Sequence, residues 1–202
     1  EMEEGTYELI IDDTAGIVKA YEAVTQYCGW SSIEAGKTMG LFPYGEPNDK
    51  VPEIYSDGNG GMWRTTDRNL IIPTYPNGAT VNEGRYEYLL TDDAAIENGD
   101  VTLLQNRRDM AYAVQTQSQE EVALLIEKAV KETGNKNVVL SGGYALNCVA
   151  NYFYLDRLKD LDINLYVEPI SSDAGTCIGA ALLFYNSLVE TKVVGDRITT
   201  LY

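Results

Sequence analysis

The spacing of apolar side chains predicts helices near the start of the chain and in its second half. Within residues 9–29, apolar positions recur at steps of three and four, the pattern of one helix face. Gly29 lies where this helix would end, and Asp13 or Thr14 could cap its start. From Asp109 a second, longer stripe predicts a helix ending near Gly134; its apolar positions are Met110, Ala113, Val114, Val122, Leu125, Ile126, Ala129 and Val130.

The last third of the chain alternates short strands with helices. The runs Val138–Leu140 and Leu165–Val167 predict strands. Each is followed by a turn and an apolar helix, from about residue 145 to 158 and from residue 173 to about 188. A strand, a crossover helix and a second strand of this length normally form a parallel unit. The predicted class is therefore α/β.

The middle of the chain has a different character. Residues 34–45 are punctuated by glycine and predict a loop. Residues 46–105 hold four of the six prolines, and their runs Leu70–Ile72 and Tyr86–Leu90 predict short strands or surface ribbon. A length of 202 residues suits one domain or one large lobe, so residues 46–105 are interpreted as an irregular insertion within it.

Charge and composition narrow the possible functions. With 15 Lys+Arg and 31 Asp+Glu the formal charge is −16, which opposes general binding to nucleic acid or to a membrane surface. The acidic first residues do not resemble a signal peptide, and three cysteines without paired spacing favour a reducing, cytoplasmic location. The absence of histidine excludes a Ser-His-Asp triad and any histidine-containing metal site built from this chain alone.

The first candidate site is the turn after the strand Val138–Leu140. Gly142 and Gly143 remove side chains, so backbone N–H groups could approach a phosphate at the start of the next helix. Asn147, one turn further, could donate to a ligand oxygen. The alternative is a tight strand-to-helix turn that binds nothing, and the spacing alone leaves that alternative open.

The second candidate site is Asp173, after the strand Leu165–Val167. Its carboxylate could cap the following helix, or it could bind a metal at the carboxyl edge of the sheet. Both turns are expected at this edge. Lys37 and Gly36 belong to a third glycine segment that lacks Walker A spacing. Cys148 and Cys177 lie on apolar helix faces and are expected to be buried and inert, not nucleophiles. No catalytic residue is predicted.

Four blocks, in the same order along the chain, resemble the O-carbamoyltransferase family of nodulation and antibiotic-tailoring enzymes. Gly36–Gly45 (GKTMGLFPYG) resembles that family's GKTMGLAPYG, and Asp109–Gln115 (DMAYAVQ) resembles its DIAASVQ. Ser141–Asn151 (SGGYALNCVAN) is similar to GGVALNCVAN, and Ser172–Leu182 (SDAGTCIGAAL) is similar to GDAGTALGAAL.

This resemblance implies a fold and a reaction. The fold is an actin/Hsp70/sugar-kinase-like (ribonuclease H-like) nucleotide-binding lobe. Residues 1–202 would be the C-terminal part of the carbamoyltransferase nucleotide-binding domain, and 46–105 its insertion. A second domain would make carbamoyl-adenylate from carbamoyl phosphate and ATP. The first domain would then transfer the carbamoyl group to a small-molecule hydroxyl acceptor, using an iron-type divalent metal.

The resemblance also implies residue roles. Gly142, Gly143 and Asn147 would hold the nucleotide phosphate, and Asp173 would be a metal ligand. Gly36 would lie against the nucleotide with Lys37 beside it, and Glu22 would lie where relatives carry a ribose-binding residue.

The family's histidine pair is missing, so the metal site is expected to be incomplete. The chain is expected to be inactive without the remainder of the transferase and the adenylating domain. Two alternatives remain open: a sugar-kinase-like phosphotransferase, and a non-catalytic nucleotide-binding or assembly subunit.

Overall fold

The computed structural model describes residues 9, 16–56, 65–91 and 103–189. The chain divides into two compact units, Glu1–Ala129 and Val130–Tyr202. Both contain helices and short strands, which confirms the mixed α/β class. Within the described ranges, no helix has both the length and the apolar character needed to cross a membrane.

The first helix, α1 (Ile17–Tyr27), confirms the predicted helix in residues 9–29. It begins after Gly16 and ends before Gly29, whose φ of 94° is in the left-handed region. The proposed caps Asp13 and Thr14 lie outside the described residues. The buried face is wider than the apolar pattern indicates; it comprises Ala20, Tyr21, Ala23, Val24, Thr25 and Tyr27.

The loop predicted for residues 34–45 is wrong. The segment forms helix α2 (Ala35–Leu41) followed by a 3-10 turn, Phe42–Tyr44. The Glu34 carboxylate accepts a hydrogen bond from the Ser31 backbone N–H at 2.9 Å, which closes the turn before α2. Thr38 and Leu41, one turn apart, are both buried. Burial of this face offsets the low helix propensity of the glycines.

Two antiparallel hairpins follow. Strand β1 (Tyr55–Ser56) pairs with β2 (Thr65–Thr66), and β3 (Ile71–Thr74) pairs with β4 (Gly78–Val81). The strand expected near Leu70–Ile72 is therefore confirmed. The run Tyr86–Leu90, predicted as a short strand or surface ribbon, is not a strand. It contains the 3-10 turn Glu87–Leu89, which follows the 3-10 turn Glu83–Arg85.

The described parts of residues 46–105 supply much of the core of the first unit. Strand β4 packs against α1. The buried apolar side chains of this segment are Ile54, Tyr55, Leu70, Ile71, Ala79, Val81 and Leu89. One face of the β3–β4 hairpin therefore packs into the core, although Ile72, Pro73 and Thr74 are exposed. The origin of the segment as an insertion stays a prediction.

The long helix α3 (Gln105–Thr133) matches the second predicted helix and stops before Gly134, whose φ is 69°. Its expected stripe is largely buried at Met110, Ala113, Val114, Ile126 and Val130. The pattern did not indicate that polar side chains are buried on the same helix; these are Arg107, Asp109, Gln115, Ser118, Gln119 and Glu121.

The second unit contains the predicted order of strands and helices. Strand β5 (Asn137–Leu140) pairs in parallel with β6 (Asn164–Val167), as expected. Between them lie a 3-10 turn (Gly143–Leu146), helix α4 (Cys148–Arg157) and the 3-10 turn Lys159–Leu161. Helix α5 (Gly175–Leu188) follows β6.

The expected burial of Cys148 and Cys177 is wrong, since both thiols are exposed. Helix α4 buries Ala150 and Tyr154, and Leu158 just beyond its end is also buried. Cys148 lies two residues before Ala150, about 200° around the helix from this face. Cys177 lies on α5, which contains no buried residue.

Gly45 provides a test of the packing between the segment after α2 and helix α3. A Cβ atom on Gly45 would overlap the Arg108 carbonyl oxygen and lie 2.9 Å from the Cβ of Tyr112. We expect Gly45→Ala to lower the free energy of unfolding by about 1–3 kcal/mol, the usual cost of overpacking. Urea unfolding of the chain measures this change. The control is Gly84→Ala, where an added Cβ meets no atom within 4 Å; equal stability of the two variants would contradict the prediction.

Candidate functional site

The two phosphate-compatible turns of the second unit open at one edge of its parallel sheet. Leu140 at the end of β5 is paired with Val167 at the end of β6. The pairing extends one step further, because the Glu168 backbone N–H donates to the Leu140 carbonyl at 3.1 Å. The chain leaves both strands at this carboxyl edge, which is where ligands bind in open α/β sheets. The expected shared edge is confirmed.

The turn after β5 has a backbone that only glycine adopts readily. Gly142 has φ 99° and ψ 163°, a conformation that side chains disfavour. Gly142 and Gly143 are exposed, and a Cβ added to either meets no atom within 4 Å. Packing among the described residues therefore does not require the glycine at position 143. The open backbone fits the approach of a phosphate group, whereas the binding role itself stays a prediction.

Asn147 lies at the start of α4 and is buried. Its side-chain oxygen accepts a hydrogen bond from the Ala150 backbone N–H at 3.0 Å, so it is the N-cap of α4. The helix consequently begins later than the predicted residue 145, after the 3-10 turn. Asn147 thus fixes the direction in which α4 leaves the glycine turn, and its contact with a nucleotide stays a prediction.

Asp173 follows β6 and is exposed. Its carbonyl oxygen accepts hydrogen bonds from Thr176, from the backbone N–H at 3.2 Å and from Oγ1 at 2.6 Å. Its carboxylate does not cap α5, which has no side-chain cap. Within the part of the chain that the structure describes, no three His, Cys, Asp or Glu side chains are grouped to hold a metal. These residues alone therefore do not fit a complete metal site.

The remaining predicted residues lie in the first unit. Gly36 and Lys37 are exposed on α2, and a Cβ on Gly36 meets no atom within 4 Å. The Lys37 ammonium forms an ion pair with Glu34, so a ligand would have to compete for it. Glu22 lies on α1, where its carboxylate is 3.3 Å from the Lys19 ammonium.

A chain of buried hydrogen bonds connects the inner face of α2 with α1 and α3. Thr38 on α2 donates from Oγ1 to Oγ1 of Thr25 on α1 at 2.8 Å. Thr25 donates to the Tyr21 carbonyl at 2.8 Å, and the Tyr21 hydroxyl donates to Gln115 on α3 at 2.7 Å. All four side chains are buried. Because their polar atoms have partners, this network fixes α2 without leaving unpaired groups in the core.

The Asp109 carboxylate forms a second connection. Its Oδ1 accepts from the Glu46 backbone N–H at 3.0 Å and from Gln105 Nε2 at 2.8 Å. Its Oδ2 accepts from Asn48 Nδ2 at 2.9 Å and from the Tyr88 hydroxyl at 2.7 Å. The side chain is buried, with 1% of the residue exposed. Asp109 therefore joins α3 to the segment after α2 and to the turn that carries Tyr88.

These contacts set the charge at this point. Burial by itself would raise the pKa of Asp109. The hydrogen bonds from Tyr88, Asn48, Glu46 and Gln105 together have the larger effect and lower this pKa below its ordinary 3.8. The carboxylate therefore remains ionised at neutral pH. Burial, followed by the hydrogen bond to Asp109, raises the pKa of the Tyr88 phenol to about 12. Tyr88 therefore keeps the proton that it donates.

Reasoning from the sequence missed three residues that hold the candidate segments in place. Asp109 was noticed only within a resembling block, and Gly45 and Gly175 were not assigned roles. A Cβ on Gly175 would overlap the Ile170 carbonyl, so this glycine allows α5 to start close to the turn after β6. Polar residues that fall within the apolar stripe of α3 were the available signal for Asp109 and Gln115.

Comparison with known proteins covers most of the chain. Residues 3–182 match the family described as Carbamoyltransferase N-terminus. An uncharacterized protein of Synechocystis sp. is 32% identical over 180 residues, which are 85% of this chain and 28% of that protein. Nodulation protein NolNO of Sinorhizobium fredii is 28% identical over 183 residues, which are 89% of this chain and 24% of that protein.

A third relative, Nodulation protein NolO of Bradyrhizobium diazoefficiens, is 27% identical over 168 residues. The match covers 83% of this chain and 28% of that protein. The chain therefore spans about a quarter of the length of these relatives.

The lowered pKa of Asp109 predicts a specific loss of stability in acid. A carboxyl group whose pKa is lower in the folded state stabilises the fold above its ordinary pKa, here 3.8, and loses this contribution as the pH falls through the folded value. We expect the free energy of unfolding to fall with pH below 3.8, with a shallower slope in Asp109→Asn. Urea unfolding at a series of acidic pH values tests this expectation. Equal slopes for the parent and Asp109→Asn would contradict it. The control is Asp49→Asn, because Asp49 is exposed and lies next to Asn48 in sequence.

Proposed function

Because the chain belongs to the Carbamoyltransferase N-terminus family, we propose that it supplies the nucleotide-binding part of an ATP-dependent O-carbamoyltransferase. The observation that carries this proposal is the exposed Gly142–Gly143 turn. It lies inside the matched residues and opens at the same sheet edge as the turn that contains Asp173. The similarity to nodulation proteins NolNO and NolO also supports this proposal.

The proposed fold is an actin/Hsp70/sugar-kinase-like, ribonuclease H-like lobe, with residues 1–202 as the C-terminal part of the transferase nucleotide-binding domain. The parallel pairing of β5 with β6 supports this assignment, as does the repeated order of strand, turn and helix. A sheet of only two strands is marginally stable, and most sheets have four to six strands. The lobe is therefore expected to include further strands in the complete domain.

The proposed reaction transfers a carbamoyl group from carbamoyl-adenylate to a small-molecule hydroxyl. The hydroxyl oxygen bonds to the carbamoyl carbon and releases its proton to solvent water. The bond between that carbon and the phosphate oxygen breaks, and AMP leaves with the electron pair. Such a transfer requires that the phosphate be held and that the hydroxyl be oriented towards the carbonyl.

The residues of this chain would bind and orient the nucleotide. Backbone N–H groups at Gly142 and Gly143 would hold the phosphate, and Asn147 would fix the helix behind them. On α2, Gly36 would lie against the nucleotide and Lys37 would add a positive charge. Glu22, one turn inside α1, would face the ribose. We assign the role of general base to none of these residues.

The proposal for the metal is narrower. Asp173 would supply one carboxylate to an iron-type divalent metal, which would polarise the carbamoyl oxygen when bound. One carboxylate rarely holds such a metal against water. The other ligands would therefore have to come from outside the described residues, and no step of the transfer is assigned to the metal.

The proposed partners follow from the same chemistry. They are carbamoyl phosphate, a hydroxyl acceptor, and the remainder of the transferase with its adenylating domain, in a cytoplasmic setting. A sugar-kinase-like phosphotransferase would use the same turns but would transfer the γ-phosphoryl group of ATP. A non-catalytic nucleotide-binding subunit would bind ATP without turnover. Product analysis distinguishes the three, because only the first forms a carbamate ester.

We expect Gly143→Val to weaken ATP binding by the natural gene product that carries this sequence. A valine side chain would occupy the open space that the phosphate must enter, and interference with one such contact corresponds to at least about a tenfold weaker Kd. Isothermal titration calorimetry measures the affinity. The matched control is Gly84→Val in the first unit, where the added Cβ also meets no atom within 4 Å. If Gly143→Val binds ATP as tightly as the control, the phosphate site lies elsewhere.

We expect Asp173→Ala in the same protein to lose bound metal while its melting temperature stays unchanged. The carboxylate is exposed and does not cap α5, so its removal takes away no structural contact that the structure describes. Elemental analysis of the purified protein gives the metal content. Asp156→Ala, an exposed carboxylate on α4, is the control. Unchanged metal content in Asp173→Ala would show that this residue is not a ligand.

A further inference from the structure

One face of helix α2 is open to solvent, and the opposite face is buried. Gly36, Lys37 and Gly40 are exposed, and a Cβ on either glycine meets no atom within 4 Å. Thr38 and Leu41 face the opposite way and are buried. A helix this short is only marginally stable without tertiary contacts. The position of its open face therefore depends on whatever holds the buried face and the chain that follows.

Two separate attachments hold this segment. The middle of α2 is tied through Thr38 and Thr25 to Tyr21, whose hydroxyl bonds to Gln115. The chain beyond α2 is tied at Gly45, which packs directly on the Arg108 carbonyl.

The next residues bind Asp109, through the Glu46 backbone N–H and the Asn48 amide. Asp109 is thus the residue through which α3 is hydrogen-bonded to the end of the Gly36–Asn48 segment.

We propose that Asp109 is a positioning residue for binding of the adenylate nucleotide, acting through the Gly36–Asn48 segment without touching the nucleotide. This inference rests on the proposed function, in which the open face of α2 lies against the nucleotide. The carboxylate holds the far end of the segment in one place. The glycine face is thereby presented in a fixed orientation before ligand arrives, and preorganisation of this kind improves affinity.

The geometry explains why this position requires a carboxylate. Each carboxylate oxygen accepts two hydrogen bonds, and all four donors belong to different residues. An asparagine in the same place would keep one acceptor oxygen and direct an NH₂ group at two donors. Two of the four donors, which belong to exposed or half-buried residues, would then lose their carboxylate partner. Asp109→Asn is therefore a nearly isosteric change that releases part of the segment.

The test measures steady-state kinetics of the natural gene product with chemically prepared carbamoyl-adenylate and a panel of hydroxyl acceptors. We expect Asp109→Asn to raise KM for carbamoyl-adenylate at least about tenfold, since small displacements of positioning groups have effects of this size or larger. We expect kcat to stay within about twofold, because the residue does not touch the reacting atoms. Tyr88→Phe removes one of the four hydrogen bonds and should give an intermediate KM.

Leu70→Ala is the control for lost stability. Leu70 is fully buried in the first unit and is not one of the residues that donate to Asp109; its truncation destabilises by cavity formation. At a temperature where every variant is folded, Leu70→Ala should leave KM for carbamoyl-adenylate unchanged. An equal rise of KM in Leu70→Ala and Asp109→Asn would reduce Asp109 to a purely structural role and overturn the inference.

Hydrogen exchange separates failure of this inference from failure of the proposed function. In Asp109→Asn, backbone exchange should accelerate in residues 36–48 and should not do so in Leu70→Ala. If the parent protein forms no carbamate ester, the proposed function is wrong, and the exchange rates alone decide whether Asp109 positions the segment. Unchanged exchange in residues 36–48 overturns the positioning role in either case.

Discussion

The buried carboxylate of Asp109 is the constraint on which the first unit depends. Moving an ionised group out of water is costly unless each of its acceptor sites is used. Here Glu46, Asn48, Tyr88 and Gln105 supply four hydrogen bonds, and three of these donors come from chain segments distant from α3 in sequence. The charge thus fixes both the chain after α2 and the turn with Tyr88, since movement of either would remove hydrogen bonds from a buried ion.

The glycines of the resembling blocks fall into two physical groups. Gly45 and Gly175 are sites of close backbone approach, where any side chain would collide with a carbonyl of a neighbouring segment. Gly36 and Gly143 face open space in the part of the chain that the structure describes, so packing there does not account for them. This division links fold and function, because the first group brings segments together and the second leaves the backbone accessible where a ligand is proposed to bind.

The charge balance of the chain sharpens the requirement on such a site. A net charge of −16 repels a nucleotide at long range, so binding has to come from local groups. The Gly142–Gly143 turn and the 3-10 turn that leads into α4 offer backbone N–H groups at the edge of the β5–β6 sheet. The peptide dipoles at the start of a helix favour anions within a few ångströms. Screening by salt weakens the long-range repulsion without affecting these close contacts to the same degree.

The sequence by itself determined the elements whose signal is local. Periodicity and a terminal glycine defined α1 and α3, and short apolar runs with the intervening helix defined the parallel pair of β5 and β6. Local signals failed where distant residues decide. Residues 34–45 form a helix because Thr38 and Leu41 find a buried surface, and Tyr86–Leu90 turns instead of extending. Cys148 is exposed because Ala150 and Tyr154 set the buried face of α4. Only the tertiary structure could reveal Asp109 and Gly45 as attachment points, because their partners lie about 60 residues away and no local pattern records such a contact.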